Sequence, residues 1–421
     1  MSFVVNLLAA TTKDEGTGKN RVIFMNTPQP AEQLRYFRAQ QAMVLDTIEQ
    51  LVTLESPADV KASVDRLSTV LGSRFGELGG KVTVHRNEKF GNHLQVDFPG
   101  EKRSHFSQSG REMGQTHKPI LLLGHMDTVY PIGTISKMPF RVQKGRVWGP
   151  GVFDMKAGIA LALHVIEALL LWNGGKLPKP TCILLVSDEE IGSPSSRPVT
   201  EELARKSECV LVVEPAAGLK GAIKTARKGI GEYTIHVTGV AAHAGLDFEK
   251  GHSAIVELSR QIVRLSEMVD LKRGTTINAG KISGGSRTNV VPDEASAVID
   301  VRVSTRKDAD QLHRALVSIR PFDSKCKIKV TGGMNRPPME RTSAIAGLYA
   351  KAAAIAEGLR QDLEEAAVGG GSDGNFTAAL GIPTLDGLGA VGEGAHAAHE
   401  SVIVSELPRR AALLAGLIAA L

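Results

Sequence analysis

The spacing of apolar positions changes several times along the chain. Over 31–56, Leu34, Phe37, Ala42, Leu45, Ile48 and Leu51 recur at helical spacing and Pro57 ends the run, which predicts a helix, with a second over 60–75. Two strands are expected at 82–85 and 93–98, around the turn signal Gly91-Asn92. Residues 99–118 are polar and read as a loop. The runs 120–123, 182–186 and 210–213 are short and wholly apolar, the pattern of strands buried on both faces, and 151–172 opens with glycine and becomes helical. Short apolar strands alternating with helices predict an α/β/α sandwich.

The pattern shifts near Lys224. Residues 233–237 and 295–303 alternate apolar and polar, 276–282 and 327–330 also read as strands, and 253–268 and 307–319 read as helices. This β-α-β-β-α-β order predicts a ferredoxin-like α+β domain, a small antiparallel sheet with two helices on one face. It is expected over 225–336, inserted into a sandwich built from 31–224 and 337–421. Residues 1–30 read as a poorly patterned extension. The α/β pattern resumes with a helix over 343–358 and a glycine-rich turn over 369–374.

With 42% hydrophobic and 23% charged residues among 421, the chain is not wholesale disordered. Fifty Lys and Arg stand against 45 Asp and Glu with no dense basic block, and only 4% are aromatic, so no nucleic-acid partner is expected. Cys182, Cys209 and Cys326 form no C-x-x-C, which suits a reducing compartment, the cytoplasm, and leaves His, Asp and Glu as the metal ligands available. The run 159–172 is interrupted by His164 and Glu167, and 411–421 is too short to cross a bilayer, so no membrane span is expected. The start lacks a basic region and contains Asn6, unlike a secretory signal.

Acids and histidines gather where the buried strands end. The apolar run at 121–123 leads into Gly124-His125-Met126-Asp127, whose His and Asp share one face of an extended strand. Asp127 is placed to fix the tautomer of a ligating His125, or the two form a simple hydrogen-bonded pair. Asp154 opens a helix, where an Asp is most often an N-cap. The strand at 183–186 ends in Asp188-Glu189-Glu190, and a third strand ends at Glu214. Adjacent carboxylates at the edge where α/β proteins bind ligands can divide labour, one on a metal and its neighbour on protons. Near the C-terminus His396 and His399 are both candidate ligands. Imidazole and carboxylate donors suit zinc without thiolate, and a shared Asp could bridge two ions.

Four stretches in order carry a resemblance: 125–129 (HMDTV), 151–158 (GVFDMKAG), 187–193 (SDEEIGS) and 396–400 (HAAHE). From about residue 35 onward the chain resembles the co-catalytic zinc peptidase family of carboxypeptidase G, aminoacylases, acetylornithine deacetylase and succinyl-diaminopimelate desuccinylase. The resemblance implies two Zn2+ per chain, with Co2+ or Mn2+ as substitutes. One ion is held by His125 and Glu214, the other by Glu190 and His396, and Asp154 bridges them. His396 is preferred to His399 because Glu400 follows it by four positions. Glu189 is the implied general base, with Asp127 and His243 as further catalytic residues, and the peptide bond after Asp154 is expected to be cis. The inserted domain matches the family's lid and dimerisation domain, so a homodimer is expected, with His243 either reaching a partner's site or merely capping its own turn. Asn289, Arg302, Arg336, Gly371 and Ser372 are expected near the substrate. An ion pair with Asp300 is the structural alternative for Arg302, and Glu340 is the one local acid near Arg336. The implied activity is hydrolysis of an amide next to a free carboxylate in a small peptide or N-acyl amino acid. A carboxypeptidase releasing glutamate or a similar residue stands first, an N-acyl-amino-acid deacylase second, and a non-catalytic binding protein last.

Overall fold

The computed structural model describes residues 9–13, 20–24, 27–100 and 118–421; most of the loop expected at 99–118 lies outside them. Two compact units emerge. The first comprises residues up to 225 with 342–366 and 380–421, and the second comprises 226–341 with 367–379.

A six-stranded sheet organises the first unit, in the order Thr384–Leu385, Cys209–Val212, Ile120–His125, Thr181–Val186, His93–Phe98, Lys81–His85. The first four strands run parallel and the last two are antiparallel additions. Ile120–His125 and Thr181–Val186 are buried at every position, which is why they are apolar throughout rather than alternating. Because the strands ending at His125, Val186 and Val212 are parallel, their C-terminal ends share one edge of the sheet, where doubly wound sheets bind ligands.

The segment Val152–Trp172 is long and apolar enough to cross a membrane by length and composition, but its most apolar window is 83% buried inside the protein. It contains a core helix, Ala157–Trp172. The helix expected over 31–56 is two, Pro30–Ala39 and Gln41–Thr53. No proline or glycine breaks it. The first half packs on Ser343–Gly358 and Leu407–Ala420, the second on Ala157–Trp172, and the break at Gln40 lets each half meet its own partner. Within the extension, Ala9–Lys13 pairs antiparallel with Asn20–Phe24. A four-stranded ribbon the periodicity did not predict orders Gly392–Glu393, Ser401–Ile403, Arg146–Trp148 and Arg141–Gln143.

The second unit holds a four-stranded antiparallel sheet in the order Thr276–Gly284, Glu294–Val303, Gly229–Thr238, Lys327–Arg336. Tyr233, Ile235 and Val237 alternate inward with Ile299, Val301 and Val303, and pack with Leu258 and Leu265 of Ala254–Ser266 and Leu312 and Leu316 of Arg306–Val317. Each of these helices is N-capped, by Ser253 and Thr305. Residues 367–379 join this unit, although the sequence pattern ran the other domain unbroken from 337 to 421. The reason is polar: Asn375 donates to the carbonyls of Lys228 and Pro337, and Arg227 donates to those of Gly370 and Gly371.

Candidate metal centre

The shared strand edge of the first unit assembles the cluster. His125 ends its strand, and its main-chain N–H donates to Met155 Sδ at 3.3 Å. Its Nε2 lies 3.1 Å from Asp154 Oδ1 and 3.4 Å from Glu214 Oε1. The other Asp154 oxygen, Oδ2, lies 3.4 Å from His396 Nε2, which is 3.1 Å from Glu190 Oε2. Two groups result, His125-Asp154-Glu214 and Asp154-Glu190-His396, each with its ligand atoms within 4.8 Å of one another. Asp154 belongs to both and offers a different oxygen to each. His399 is exposed and belongs to neither.

Asp154 is not a helix N-cap. Its backbone is extended rather than helical, at φ −115° and ψ 92°, and the Asp154-Met155 peptide bond is cis. The helix behind it approaches the Val213 main chain so closely that a Cβ on Gly158 would stand 2.0 Å from the Val213 carbonyl oxygen; only glycine allows Glu214 and Asp154 this proximity. Lys156, fully buried, donates to the Leu54 carbonyl at 2.7 Å, and burial pulls its ammonium down to about 7 despite Glu400 and Glu55 nearby.

Asp127 acts through different atoms than the sequence suggests. It is its main-chain carbonyl that lies 3.0 Å from His125 Nδ1, while its carboxylate oxygen stands 3.6 Å away. The carboxylate instead accepts the N–H groups of Glu189, at 3.3 Å, and Glu190, at 3.0 Å. One residue therefore fixes the imidazole tautomer and orients the turn that carries both glutamates.

The electrostatics of the protein alone show what the cluster needs. Burial opposes a charge on His125, yet the carboxylates of Asp127, Asp154 and Glu214 around it raise its pKa well above the ordinary value. His396 is pushed up to about 10 by hydrogen bonds to Asp154 and Glu190. Burial raises Asp154, but the two histidines together hold its carboxyl far below the usual range. Burial raises Glu190, whose Oε1 is buried without a hydrogen-bond partner. Three carboxylates thus draw positive charge onto two imidazoles, and divalent cations in place of those protons meet the same demand. The donors are imidazole nitrogen and carboxylate oxygen, the set that suits Zn2+, Co2+ or Mn2+. The residues fit a pair of such ions.

The sequence missed Glu400 as more than a spacing marker. It is fully buried, and its carboxylate accepts N–H bonds from Gly151 (2.9 Å), Phe153 (2.7 Å) and Asp154 (2.9 Å). Tyr130 stands close to this carboxylate, and its hydroxyl donates to the Ala397 carbonyl at 3.0 Å.

The remaining expected site residues belong to the second unit. His243 is exposed and does cap its own turn: its Nδ1 accepts N–H bonds from Gly245 and Leu246 at 3.1 and 3.2 Å. An accepting Nδ1 places the proton of the neutral ring on Nε2. Asn289 is exposed, and its main-chain carbonyl accepts from Ala244 N–H at 3.0 Å. Arg302 forms the ion pair with Asp300 that was its structural alternative, at 3.0 Å. Arg336 has an acid partner the sequence did not suggest. It is 5% exposed, pairs with Asp373 at 3.2 Å and lies over the Phe376 ring at 5.3 Å, while Glu340 instead accepts the Arg306 N–H. Gly371 is half-buried; Ser372 is buried and its hydroxyl accepts the Gly374 N–H at 3.1 Å.

The chain is 30% identical over 384 residues to carboxypeptidase G2 of Pseudomonas sp. (strain RS-16), covering 90% of this chain and 89% of the relative. It is 29% identical over 318 residues to succinyl-diaminopimelate desuccinylase of Dechloromonas aromatica, covering 71% and 82%. The fold is similar to that of a tripeptidase from Staphylococcus aureus, with a TM-score of 0.74 at 22% identity, covering 90% of this chain and 98% of the other. Residues 121–420 match the model of peptidase family M20/M25/M40, and the chain belongs to that family.

Proposed function

We propose that this metal-dependent hydrolase is a dizinc carboxypeptidase that cleaves an amide next to a free carboxylate and releases a C-terminal amino acid such as glutamate. The observation that carries the dinuclear part is Asp154, whose two oxygens face two separate ligand groups. His125, Asp154 and Glu214 would hold one ion and Asp154, Glu190 and His396 the other. Divalent ions held there supply Lewis acidity, lowering the pKa of a water and polarising the scissile carbonyl.

The chain's own residues do the rest. Glu189 removes a proton from the attacking water and delivers it to the leaving amine nitrogen. Glu190, next to it in the same turn, is committed to the His396 group, so the two glutamates have separate tasks. Asp127 holds that turn by its two N–H groups and holds His125 by its main-chain carbonyl. His243 donates from Nε2 to the developing oxyanion; its Nδ1, already accepting from the turn, keeps the proton on the donating side. Recognition of the substrate's carboxylate falls to the second unit, with Asn289 as a contact. Arg302, Arg336, Gly371 and Ser372 act there mainly as supports, since the arginines are paired with Asp300 and Asp373 and the Ser372 hydroxyl is engaged.

The likeness to carboxypeptidase G2 over nine-tenths of both chains supports the carboxypeptidase reading. The desuccinylase likeness supports N-acyl-amino-acid deacylation as the second. Homodimerisation through the second unit is supported by its edge strand Thr276–Gly284, exposed along most of its length with Ile282 outward, since pairing with a second copy covers such an edge. A cytoplasmic setting is supported by three buried cysteines without a disulfide. A panel of C-terminal glutamate peptides, other dipeptides and N-acyl amino acids, each as free acid and terminal amide, tests the function. Cleavage of the acids with loss on amidation is expected, with glutamate peptides ranked first. Equal cleavage of acid and amide overturns carboxylate recognition, and preference for N-acyl amino acids moves the deacylase ahead.

A further inference from the structure

Glu400 is fully buried, carries a carboxylate, and takes no direct place in either ligand group. The ribbon register explains how it reaches Asp154. Ser401 pairs with Trp148 and Val402 with Val147, so residue 400 stands beside the point where the chain leaves Arg146–Trp148 for Asp154. There the main chain runs through Gly151, in the left-handed region at φ 70°, into the extended Asp154. Its N–H groups precede the helix and have no helical acceptor. Glu400 accepts three of them, one on Oε2 and two on Oε1. The same residue closes the turn that carries His396: Ala397 N–H donates to Gly394, Glu400 N–H donates to Ala397, and Tyr130 braces Ala397 from outside.

We propose, building on the dinuclear reading above, that Glu400 is a positioning residue: it locks the 151–154 main chain to the His396 turn so that the two oxygens of Asp154 face the two ions. A carboxylate is suited to this because both oxygens only accept. A glutamine has the same shape, but its amide nitrogen would oppose either the Gly151 N–H or the Phe153 and Asp154 N–H groups. Partners of this kind behind a metal ligand typically govern metal affinity by about 10–100-fold.

The test uses the metal-free full chain titrated with Mn2+, with affinity and electron paramagnetic resonance as readouts. The wild-type protein is expected to bind two Mn2+ and give the multiline spectrum of an exchange-coupled pair. Glu400→Gln is expected to bind about 10–100-fold more weakly and to give the six-line signal of separate ions. Glu393→Gln, which removes only the ion pair between exposed Glu393 and half-buried Arg146, is the control and is expected to match wild type. Circular dichroism of the metal-free variants reports folding. If Glu400→Gln does not fold, Glu400→Asp keeps the carboxylate but shortens its reach to the three N–H groups, and is expected to weaken Mn2+ binding in the same sense. Wild-type affinity and a coupled spectrum in the folded Glu400→Gln protein, or in Glu400→Asp where that variant is needed, overturn the role of Glu400. A single Mn2+ in the wild-type protein overturns the dinuclear reading and this inference with it, and the wild-type arm alone shows which has failed.

Discussion

The Arg336–Asp373 pair allows support and recognition to be separated by measurement. Both side chains are nearly sealed from water, at 7% and 3% exposure, so the pair lacks the solvent screening that makes surface ion pairs nearly worthless. Asp373→Ala leaves a guanidinium buried without its carboxylate. Breaking a buried pair from one side costs about 3–5 kcal/mol. The lower bound alone is roughly a hundredfold in the folded-to-unfolded ratio. The Phe376 face, still under the guanidinium, offsets only part of this, since a cation–π contact contributes about 0.5–2 kcal/mol. Replacing both partners with apolar groups, as Arg336→Met with Asp373→Leu, is expected to restore most of the loss, because a buried pair exchanged for packed hydrophobes is often neutral or better. Urea unfolding followed by circular dichroism gives the free energies, and hydrogen exchange over 367–379 locates them. Support predicts a large single-variant loss, recovery in the double variant, and early exchange at 367–379. An Asp373→Ala loss below about 1 kcal/mol, the scale of exposed pairs, refutes it. Recognition by Arg336 would then stand in place of support, and Arg336→Lys should lower kcat/KM without touching stability.

Other expectations concern the cluster itself. Glu189→Gln should leave metal content intact and lower kcat by roughly two to four orders of magnitude; metal analysis showing an emptied site would reverse the roles of Glu189 and Glu190. In the metal-free protein His396 has a raised pKa, so its stabilising contribution is complete below about 6.5 and is lost as pH rises through about 10. Ionising Glu190, whose pKa burial raises, costs stability as pH rises above the ordinary 4.5, whereas Asp154 contributes above its ordinary 3.8 and loses this only in acid. The chelated protein should therefore melt at lower temperature at pH 10 than at pH 6, a trend absent from the metal-loaded protein, where the imidazole is already neutral; identical pH profiles would refute the charge assignment. Mixing His243→Ala with Glu189→Gln chains should raise activity above either parent if His243 acts across a dimer, and no recovery despite demonstrated subunit exchange rejects action in trans.

What the sequence made legible was what local pattern controls. The strand ends at His125, Val186 and Val212 were readable because strands buried on both faces must be apolar, so the first polar residues after them mark the edge of the sheet. Asp154 was readable as a candidate but not as an extended residue, because nothing in its neighbours reports the carboxylate of Glu400 about 250 positions away. Asp373 stands 37 residues from Arg336, and Asn375 reaches Lys228 across 147, so the membership of 367–379 in the second unit is written in tertiary hydrogen bonds. Period-two spacing shows His125 and Asp127 as neighbours but not through which atoms: the Asp127 side chain turns to the Glu189-Glu190 turn while its carbonyl takes His125. Gln40 breaks a helix that its own propensities would continue, since the two halves pack on different partners.

Asp154 shared between two ions is tested most directly by metal titration of the chelated enzyme, with bound metal and hydrolysis of a C-terminal glutamate peptide measured on the same samples. Activity should rise to its plateau only as bound zinc approaches two ions per chain, and Asp154→Ala should weaken both binding events together. Full activity at one ion per chain, or an Asp154→Ala protein that loses one ion and keeps the other at wild-type affinity, would contradict a shared carboxylate.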